Sequence, residues 1–197
     1  TSHYYTPSSA EIDCLGRTIR TTDRLVESTN EEDQVIMQYA FDIRGNLVAV
    51  LDAYNRLVFG HLYDLLNRNL VTSHLDSGVK ILVLDCMSTP IEARDLKGSL
   101  VLNAYDELNR PVNVWCRDNA DADATTLRSK TVFGDSSPDV PDPALYNLLG
   151  KPYQVFDEAG ISQINEYDFR GLPPEKSRRV ISDAALKSVF DGPPVDW

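Results

Sequence analysis

The stretch Phe41–Asp76, FDIRGNLVAVLDAYNRLVFGHLYDLLNRNLVTSHLD, decides the fold, because one short pattern returns along it every ten to twelve residues. An aspartate follows an aromatic residue or a leucine. In the first three copies, the third residue after the aspartate is glycine or asparagine, and a polar residue then leads back into apolar sequence. The aspartates are Asp42, Asp52, Asp64 and Asp76, and the third residues of the first three copies are Gly45, Asn55 and Asn67.

The segments between these positions predict β-strands. NLVAVLD, RLVFGHLYD and RNLVTSHLD are short, rich in Val, Leu, Phe and Tyr, and bounded by turn residues. An aspartate carboxylate can accept hydrogen bonds from backbone N–H groups one to three residues ahead, and glycine or asparagine tolerates the left-handed backbone of such turns. Leu47, Val50, Leu51 and Tyr54 are also spaced as on a helix, but the repeated turn residues favour strands.

The same core, Asp-x-x-Gly/Asn, occurs eight times in the chain and predicts an array of hairpins. The aspartates are Asp13, Asp42, Asp52, Asp64, Asp95, Asp106, Asp157 and Asp168, and the glycines Gly45, Gly160 and Gly171 follow three of them. Aromatic residues precede five copies, at Phe41, Tyr63, Tyr105, Phe156 and Tyr167. We expect each aspartate to close a turn, each aromatic residue to pack on the sheet, and none of them to have a catalytic, cofactor-binding or metal-binding role.

The predicted fold is mainly β, a curved antiparallel ribbon of β-hairpins with one short C-terminal helix. We expect a single segment over residues 1–197. It divides into N-terminal strands and a loop (1–38), core repeats (39–116), a loop-rich excursion (117–152) with a helical turn around Ala144–Leu149, further repeats (153–173), and a helix and tail (174–197). The helix is predicted over Pro174–Phe190, which begins near proline and precedes Gly192-Pro193-Pro194.

Composition limits the possible partners. The 197 residues carry a net charge of −11, and 42% of them are hydrophobic, which is enough for a sizeable core. The negative charge argues against nucleic acid or an anionic membrane as partner. No run of eighteen apolar residues is present, so direct membrane insertion is not expected. Because the chain begins TSHYYTPSSAEID without methionine, we expect it to be a piece of a longer protein.

Motifs that would support catalysis or metal binding are weak. The triplet Asp76-Ser77-Gly78 resembles that of aspartic proteases, but those enzymes need two carboxylates and no second triplet exists. The run DNADAD at 118–123 lacks the glycine and glutamate of a calcium loop and predicts a solvated loop. Packing within strands explains His61 and His74 better than nucleophilic catalysis does.

The three cysteines, Cys14, Cys86 and Cys116, are too few and too scattered for a disulfide framework or a zinc site. We expect them to be buried as small apolar residues. With no constellation for chemistry, the sequence predicts a protein that is not an enzyme and that uses no cofactor.

These repeats resemble the YD repeats of the Rhs family, named for a Tyr-Asp pair followed by Gly-x-Leu. FDIRGNLVAVLDAYNRLVFGHLYDLLNR, YDELNRPVNVW, NLLGKPYQVFDEAGI and EYDFRGL are similar, in that order, to blocks of the repeat region of insecticidal Tc toxin complexes, in the B component or its fused B–C relatives. The resemblance covers most of Tyr39–Arg179.

The resemblance implies a function as well as a fold. Rhs repeats wind into a hollow shell that encloses a toxic polypeptide and is not catalytic along its repeats. The expected partners are other parts of the same shell, the enclosed toxin polypeptide and other toxin complex subunits, and the expected location is secreted or extracellular. At 197 residues the chain is too short to close such a shell, so we expect a partial wall. The alternative is an extracellular YD-repeat adhesion module that recognises a glycan or a cell-surface protein.

Overall fold

The computed structural model describes residues 6–26, 30, 33–119 and 125–181. Fourteen antiparallel strands follow one another in a sheet whose strand order is the order of the sequence. The strands are β1 Ser9–Ile12, β2 Thr18–Arg24, β3 Gln34–Phe41, β4 Leu47–Leu51, β5 Leu57–Tyr63, β6 Asn69–His74, β7 Gly78–Leu84, β8 Pro90–Arg94, β9 Leu100–Tyr105, β10 Pro111–Arg117, β11 Thr126–Phe133, β12 Pro152–Asp157, β13 Gly160–Gln163 and β14 Ser177–Val180. The predicted antiparallel ribbon of hairpins is therefore confirmed.

The chain divides into two compact units, Thr1–Val83 and Leu84–Trp197. In the first unit, each strand from β2 to β6 pairs with the strand before it and the strand after it, as in the register Tyr39↔Val50 and Val50↔Phe59. In the second unit the same meander runs from β8 to β14, with registers such as Trp115↔Leu102 and Phe156↔Ile161. Because neighbouring strands run in opposite directions, connections after odd-numbered strands lie at one edge of each unit and those after even-numbered strands lie at the other.

Most strand residues in the described part of the chain are only half-buried, and the contacts between elements run mainly between strands that are adjacent in sequence. The buried apolar side chains are Val50 in the first unit and Leu100, Phe133, Val140 and Leu148 in the second. The excursion is shorter in the structure than predicted and covers residues 134–151. It begins with a 3-10 turn at Gly134–Ser136 and continues through further turns. It supplies Leu148, which is 1% exposed. The predicted helical turn around Ala144–Leu149 is present as a series of hydrogen-bonded turns, not as a helix.

The C-terminal helix predicted over Pro174–Phe190 is wrong where the structure describes it. Ser177–Val180 is strand β14 and pairs with β13, in registers such as Ile161↔Arg179. Backbone pairing with a preceding strand outweighs the local helix signal of this segment, because apolar spacing alone does not distinguish a helix from a paired strand. Residues 182–190 lie outside the described residues. Within the segment expected to be rich in loops, Thr126–Phe133 forms an eight-residue strand.

Candidate functional site

The repeat turns are the candidate site, and each is built from one aspartate and the four residues after it. In the turn of Asp64, the backbone N–H of Asn67 donates to the carbonyl of Asp64, and the N–H of Asp64 donates to the carbonyl of Arg68. This is a tight turn followed by a bulge, which requires a left-handed residue at the third position after the aspartate. Asn67 fills that position with φ 61°.

The aspartate side chain closes the same loop a second time. One carboxylate oxygen of Asp64 accepts the backbone N–H of Leu66 at 2.8 Å and of Arg68 at 2.9 Å. The other oxygen accepts Nε of Arg68 at 2.6 Å. We expected bonds one to three residues ahead. The first bond falls in that range, and the second lies four residues ahead, because the bulge turns that N–H back toward the carboxylate.

Among the residues that the structure describes, eight aspartates hold this arrangement, with two backbone N–H groups on one oxygen. They are Asp13, Asp42, Asp52, Asp64, Asp85, Asp95, Asp106 and Asp168. The third residue after each has positive φ, including Gly45 at 91° and Gly171 at 81°. In six of the turns the fourth residue also bonds the second oxygen through its side chain: Arg17, Asn46, Arg56, Arg68, Thr89 and Arg110.

Asp85 is a turn that the sequence pattern missed. Its third following residue is Ser88, which adopts φ 68° although serine is neither glycine nor asparagine. Its fourth is Thr89, whose hydroxyl contacts the second carboxylate oxygen. The signal was present in the spacing, since Asp42, Asp64, Asp85 and Asp106 follow one another at intervals of 21 or 22 residues.

Asp157 and Asp76 lie in turns of other kinds. Asp157 pairs with Gly160 across a two-residue loop, accepts the N–H of Ala159 at 2.9 Å and holds Arg178 at 2.8 Å. Gly160 adopts φ 133°, where an added Cβ would lie 2.0 Å from the carbonyl oxygen of Arg179. Asp76 lies two residues after His74, and its backbone N–H donates to the imidazole Nδ1 of that histidine.

The carboxylates are electrostatically satisfied by their own loops. Backbone N–H bonding from the fourth residue is the leading cause that lowers the pKa of Asp13 and Asp64, and side-chain bonding from Asn46 or Arg56 leads for Asp42 and Asp52. Desolvation opposes these bonds and is the largest single influence on Asp106, where the backbone and guanidinium bonds from Arg110 together still lower the pKa. Each of these carboxylates is therefore held in its charged form by groups of the chain itself.

Tyrosines before the aspartates connect neighbouring turns at one edge of a unit. The hydroxyl of Tyr63 donates to the carbonyl of Leu47 at 3.0 Å, immediately after the preceding turn of that edge. Two further tyrosines repeat this contact: Tyr105 donates to Pro90 at 2.8 Å and Tyr167 to Pro152 at 2.9 Å. The tyrosine of each Tyr-Asp pair thus bridges from its own turn to the turn two strands earlier.

The phenylalanines make cation–π contacts in place of that hydroxyl bond. The guanidinium carbon of Arg17 lies 4.8 Å from the ring centre of Phe41, and Nζ of Lys130 lies 5.9 Å from that of Phe156. In the first case the arginine belongs to the turn two strands earlier, so the link between neighbouring turns is kept with different chemistry.

Polar side chains add further links along the same edge of the first unit. Nη1 of Arg44 donates to the carbonyl of Leu65 at 2.8 Å, and Nδ2 of Asn46 donates to Oδ1 of Asn67 at 2.9 Å. A cleft of about 290 Å³ lies between these two turns, and its lining includes Val48 and His61. It is open to solvent, and its charged side chains are already bonded: Asp42 accepts from Asn46, Asp64 accepts from Arg68, and Arg44 donates to Leu65.

Two expectations about chemistry-bearing residues need correction or fall outside the description. Cys14 and Cys86 are exposed, and each is the first residue after a turn aspartate, whereas Cys116 is half-buried. The prediction of buried cysteines is thus wrong for the first two. Most of the run DNADAD, at 120–123, lies outside the described residues; Asp118 pairs with Arg128 at 2.8 Å. Among the described residues, no helix is long and apolar enough to span a bilayer.

The geometry defines a repeat protein, a ribbon of hairpins whose turns are closed by aspartate and joined along their edges. Solved structures with this fold include the Tc holotoxin pore of Photorhabdus luminescens with a TccC3 variant, at TM-score 0.78 and 20% identity over 92% of this chain and 9% of that chain. TcdB2–TccC3 without its hypervariable C-terminal region matches at TM-score 0.77 and 20% identity over 93% and 9%. TcdB2–TccC3 itself matches at 0.76 and 20% over 91% and 9%.

The predicted resemblance to Tc toxin proteins is therefore confirmed as a likeness of fold. The chain spans only 9% of the length of the toxin chains that it matches. No family model and no curated protein matches the sequence.

Proposed function

We propose that this chain is a non-catalytic wall segment of an Rhs-type shell, secreted as part of a Tc-type toxin complex, that encloses a toxic polypeptide. Its partners would be the neighbouring parts of the same wall, the enclosed polypeptide and other subunits of the complex. The fold likeness to TcdB2–TccC3 supports the shell, because a ribbon of this kind is what the matched part of those chains contains.

The state of the turn carboxylates carries the non-catalytic part of the proposal. A catalytic or metal-binding aspartate needs an oxygen with free lone pairs directed at a ligand. At Asp64 three donors from Leu66 and Arg68 already take three of the roughly four acceptor sites of the carboxylate. The same arrangement recurs at Asp52 and Asp106, so the repeated feature of the sequence is used to hold the loops.

The links between turns support a wall. The strands of a wall must stay together along its whole length. Each tyrosine bridge links turns that lie two strands apart, in addition to the hydrogen bonds between paired strands. An adhesion module would instead need an exposed face that selects a ligand.

The test uses the full-length gene product that carries this segment, probed by limited proteolysis of the polypeptide that it encloses. We expect the enclosed polypeptide to be protected in the parent and cleaved in Tyr63→Ala, where the bridge to Leu47 is lost. Ile43→Ser is the matched control, since Ile43 is fully exposed at a turn tip and should leave protection unchanged.

Cleavage of that polypeptide at the same rate in the parent and in Tyr63→Ala would overturn the wall proposal, as would a gene that encodes no sequence beyond these 197 residues. A glycan array and a cell-surface binding assay with the chain test the competing role. Saturable, ligand-specific binding would favour the adhesion module.

A further inference from the structure

The turn between β6 and β7 is closed by a histidine. His74 pairs with Gly78 across the loop, and its Nδ1 accepts the backbone N–H of Asp76 at 3.1 Å and of Ser77 at 3.2 Å. Nδ1 thus takes the role that a carboxylate oxygen takes in the turns of Asp52 and Asp64. Its ring also contacts Phe59 edge-on, with ring centres 4.5 Å apart.

The two donors determine where the imidazole proton lies. Both are backbone amides, which can only donate, so Nδ1 must present its lone pair and the proton must be on Nε2. A protonated imidazole carries N–H on both nitrogens. Protonation would therefore point an N–H group at two other N–H groups and remove both bonds at once.

We propose that His74 makes the β6–β7 turn a pH-sensitive joint, closed while the imidazole is neutral and released when it takes up a proton. Imidazole is the side chain whose charge ordinarily changes between pH 5 and 8, whereas an aspartate carboxylate ordinarily remains charged down to about pH 4. The turn of Asp52, at the same edge of the same unit, holds its loop with a carboxylate and stays closed across that range.

The charged groups around His74 are few and mixed in sign. On the loop itself is the carboxylate of Asp76, whose charge is also felt by Arg56 of the adjacent turn. On β7 the nearest charge by register is Lys80, opposite Thr72. On β5 the titratable group of that face is His61, which stacks on Phe59 at 6.1 Å. Asp76 contributes negative charge to these surroundings, and Arg56 and Lys80 contribute positive charge. The loss of the two amide bonds on protonation of Nδ1 does not depend on the sign of these charges.

The experiment measures amide hydrogen exchange of the chain by NMR between pH 7.5 and pH 5, expressed as protection relative to an unstructured peptide at each pH. Protection of Asp76 and Ser77 should fall by up to tenfold per pH unit below the imidazole titration, the limit for release by one proton. The amides of Tyr54 and Arg56, held by Asp52, should keep their protection and serve as the internal reference.

His74→Asn is the matched variant, because an amide oxygen can accept both bonds and does not titrate. It should keep Asp76 and Ser77 protected at every pH, while His61→Asn should leave the pH dependence as in the parent. Constant protection of Asp76 and Ser77 in the parent, or pH dependence that persists in His74→Asn, would overturn the proposal. Imidazole ¹⁵N shifts of the parent provide a check without any variant: Nδ1 must be unprotonated at pH 7.5, and finding the proton there would equally overturn it.

Discussion

The turns of the first unit and the excursion at 134–151 in the second unit stabilise the chain in different ways. Around Asp42 and Asp64 the stabilising interactions lie at the surface. They are hydrogen bonds within each loop and between neighbouring loops. In the excursion a single side chain, Leu148, is almost fully enclosed. An added Cβ at Gly134 would lie 2.5 Å from the Cβ of Leu148, which shows how closely the chain packs there.

The comparison teaches that a repeated element can be stable without a deep core if every polar group in it has a partner. Each turn replaces burial with closure of its own hydrogen bonds. The excursion has no repeat to supply those bonds, so it needs apolar contact. It is anchored to the ribbon by Arg110, which bonds Asp106 and Asp135 and lies 4.0 Å over the ring of Phe133.

The largest effect is expected at the enclosed side chain. Leu148→Ala should lower the free energy of unfolding of the second unit by about 3 kcal/mol, because it removes buried methyl groups and leaves a cavity. Urea denaturation followed by circular dichroism measures it. Leu149→Ala is the control: that neighbour is 58% exposed and should change stability by less than about 0.5 kcal/mol. Equal effects of the two substitutions would show that the excursion has no core of its own.

The next effect concerns the bridge between turns in the first unit. Tyr63→Ala should cost about 2 kcal/mol, less than a fully buried aromatic residue because Tyr63 is half-buried. Tyr63→Phe isolates the hydroxyl bond to Leu47 and should cost about 1 kcal/mol. The two free energies come from the same urea titrations. If Tyr63→Phe is as stable as the parent, the hydroxyl does not link the turns and the first unit relies on ring packing alone.

A smaller effect is expected from backbone conformation at the third position of a turn. Gly45→Ala should destabilise by about 1 kcal/mol, since Gly45 adopts φ 91° and an L side chain is strained there. Asn67→Gly at φ 61° should be nearly neutral, because glycine adopts that conformation without strain. Thermal unfolding of both variants beside the parent provides the measurement. A destabilising Asn67→Gly would mean that the Asn67 side chain, through its bond to Asn46, matters more than its backbone.

The smallest effect is a shift in acid sensitivity. The pKa of Asp64 is lowered by bonds that exist only in the folded chain, so the folded state releases that proton more readily than the unfolded state. The resulting stability is complete above the ordinary aspartate pKa of about 4 and is lost as the pH falls through the lowered value. Asp64→Asn keeps an acceptor without the charge and should depend less on pH. Urea midpoints at pH 6 and pH 3 give the comparison, and an unchanged pH dependence in Asp64→Asn would rule out this account.

The regular part of the fold could be predicted because its determinants are local. The aspartate and the left-handed residue three positions later act within five residues, so Asp42 and Asp64 reveal their turns from sequence alone. The pattern missed Asp85, because its third following residue is Ser88, which adopts φ 68° although serine is neither glycine nor asparagine. It also could not show that Arg68 folds back onto the carboxylate, although the polar residue at that position was visible.

The irregular parts could not be predicted, because their partners are distant in sequence. The sequence predicts a helix where β14 lies, since the strand character of β14 comes from pairing with β13 across a loop that includes Asp168. The burial of Leu148 depends on the close approach of Gly134, which no periodic pattern in the sequence predicts. The role of His74 was hidden for another reason: a histidine in a strand pattern indicates packing, and only the positions of two amides show that it caps a loop.

The closure of each turn within five residues has a consequence for how such a gene can change length. A repeat of two strands and two turns contains all the donors and acceptors that its turns need. Adding or deleting one such repeat leaves every remaining turn at its edge of the sheet and every side chain on its face. The interval of 21 or 22 residues between Asp42, Asp64, Asp85 and Asp106 is the length of that two-strand repeat. Duplication in steps of this length would lengthen the ribbon without disturbing its neighbours, whereas a change of half a step would reverse the direction of every strand that follows.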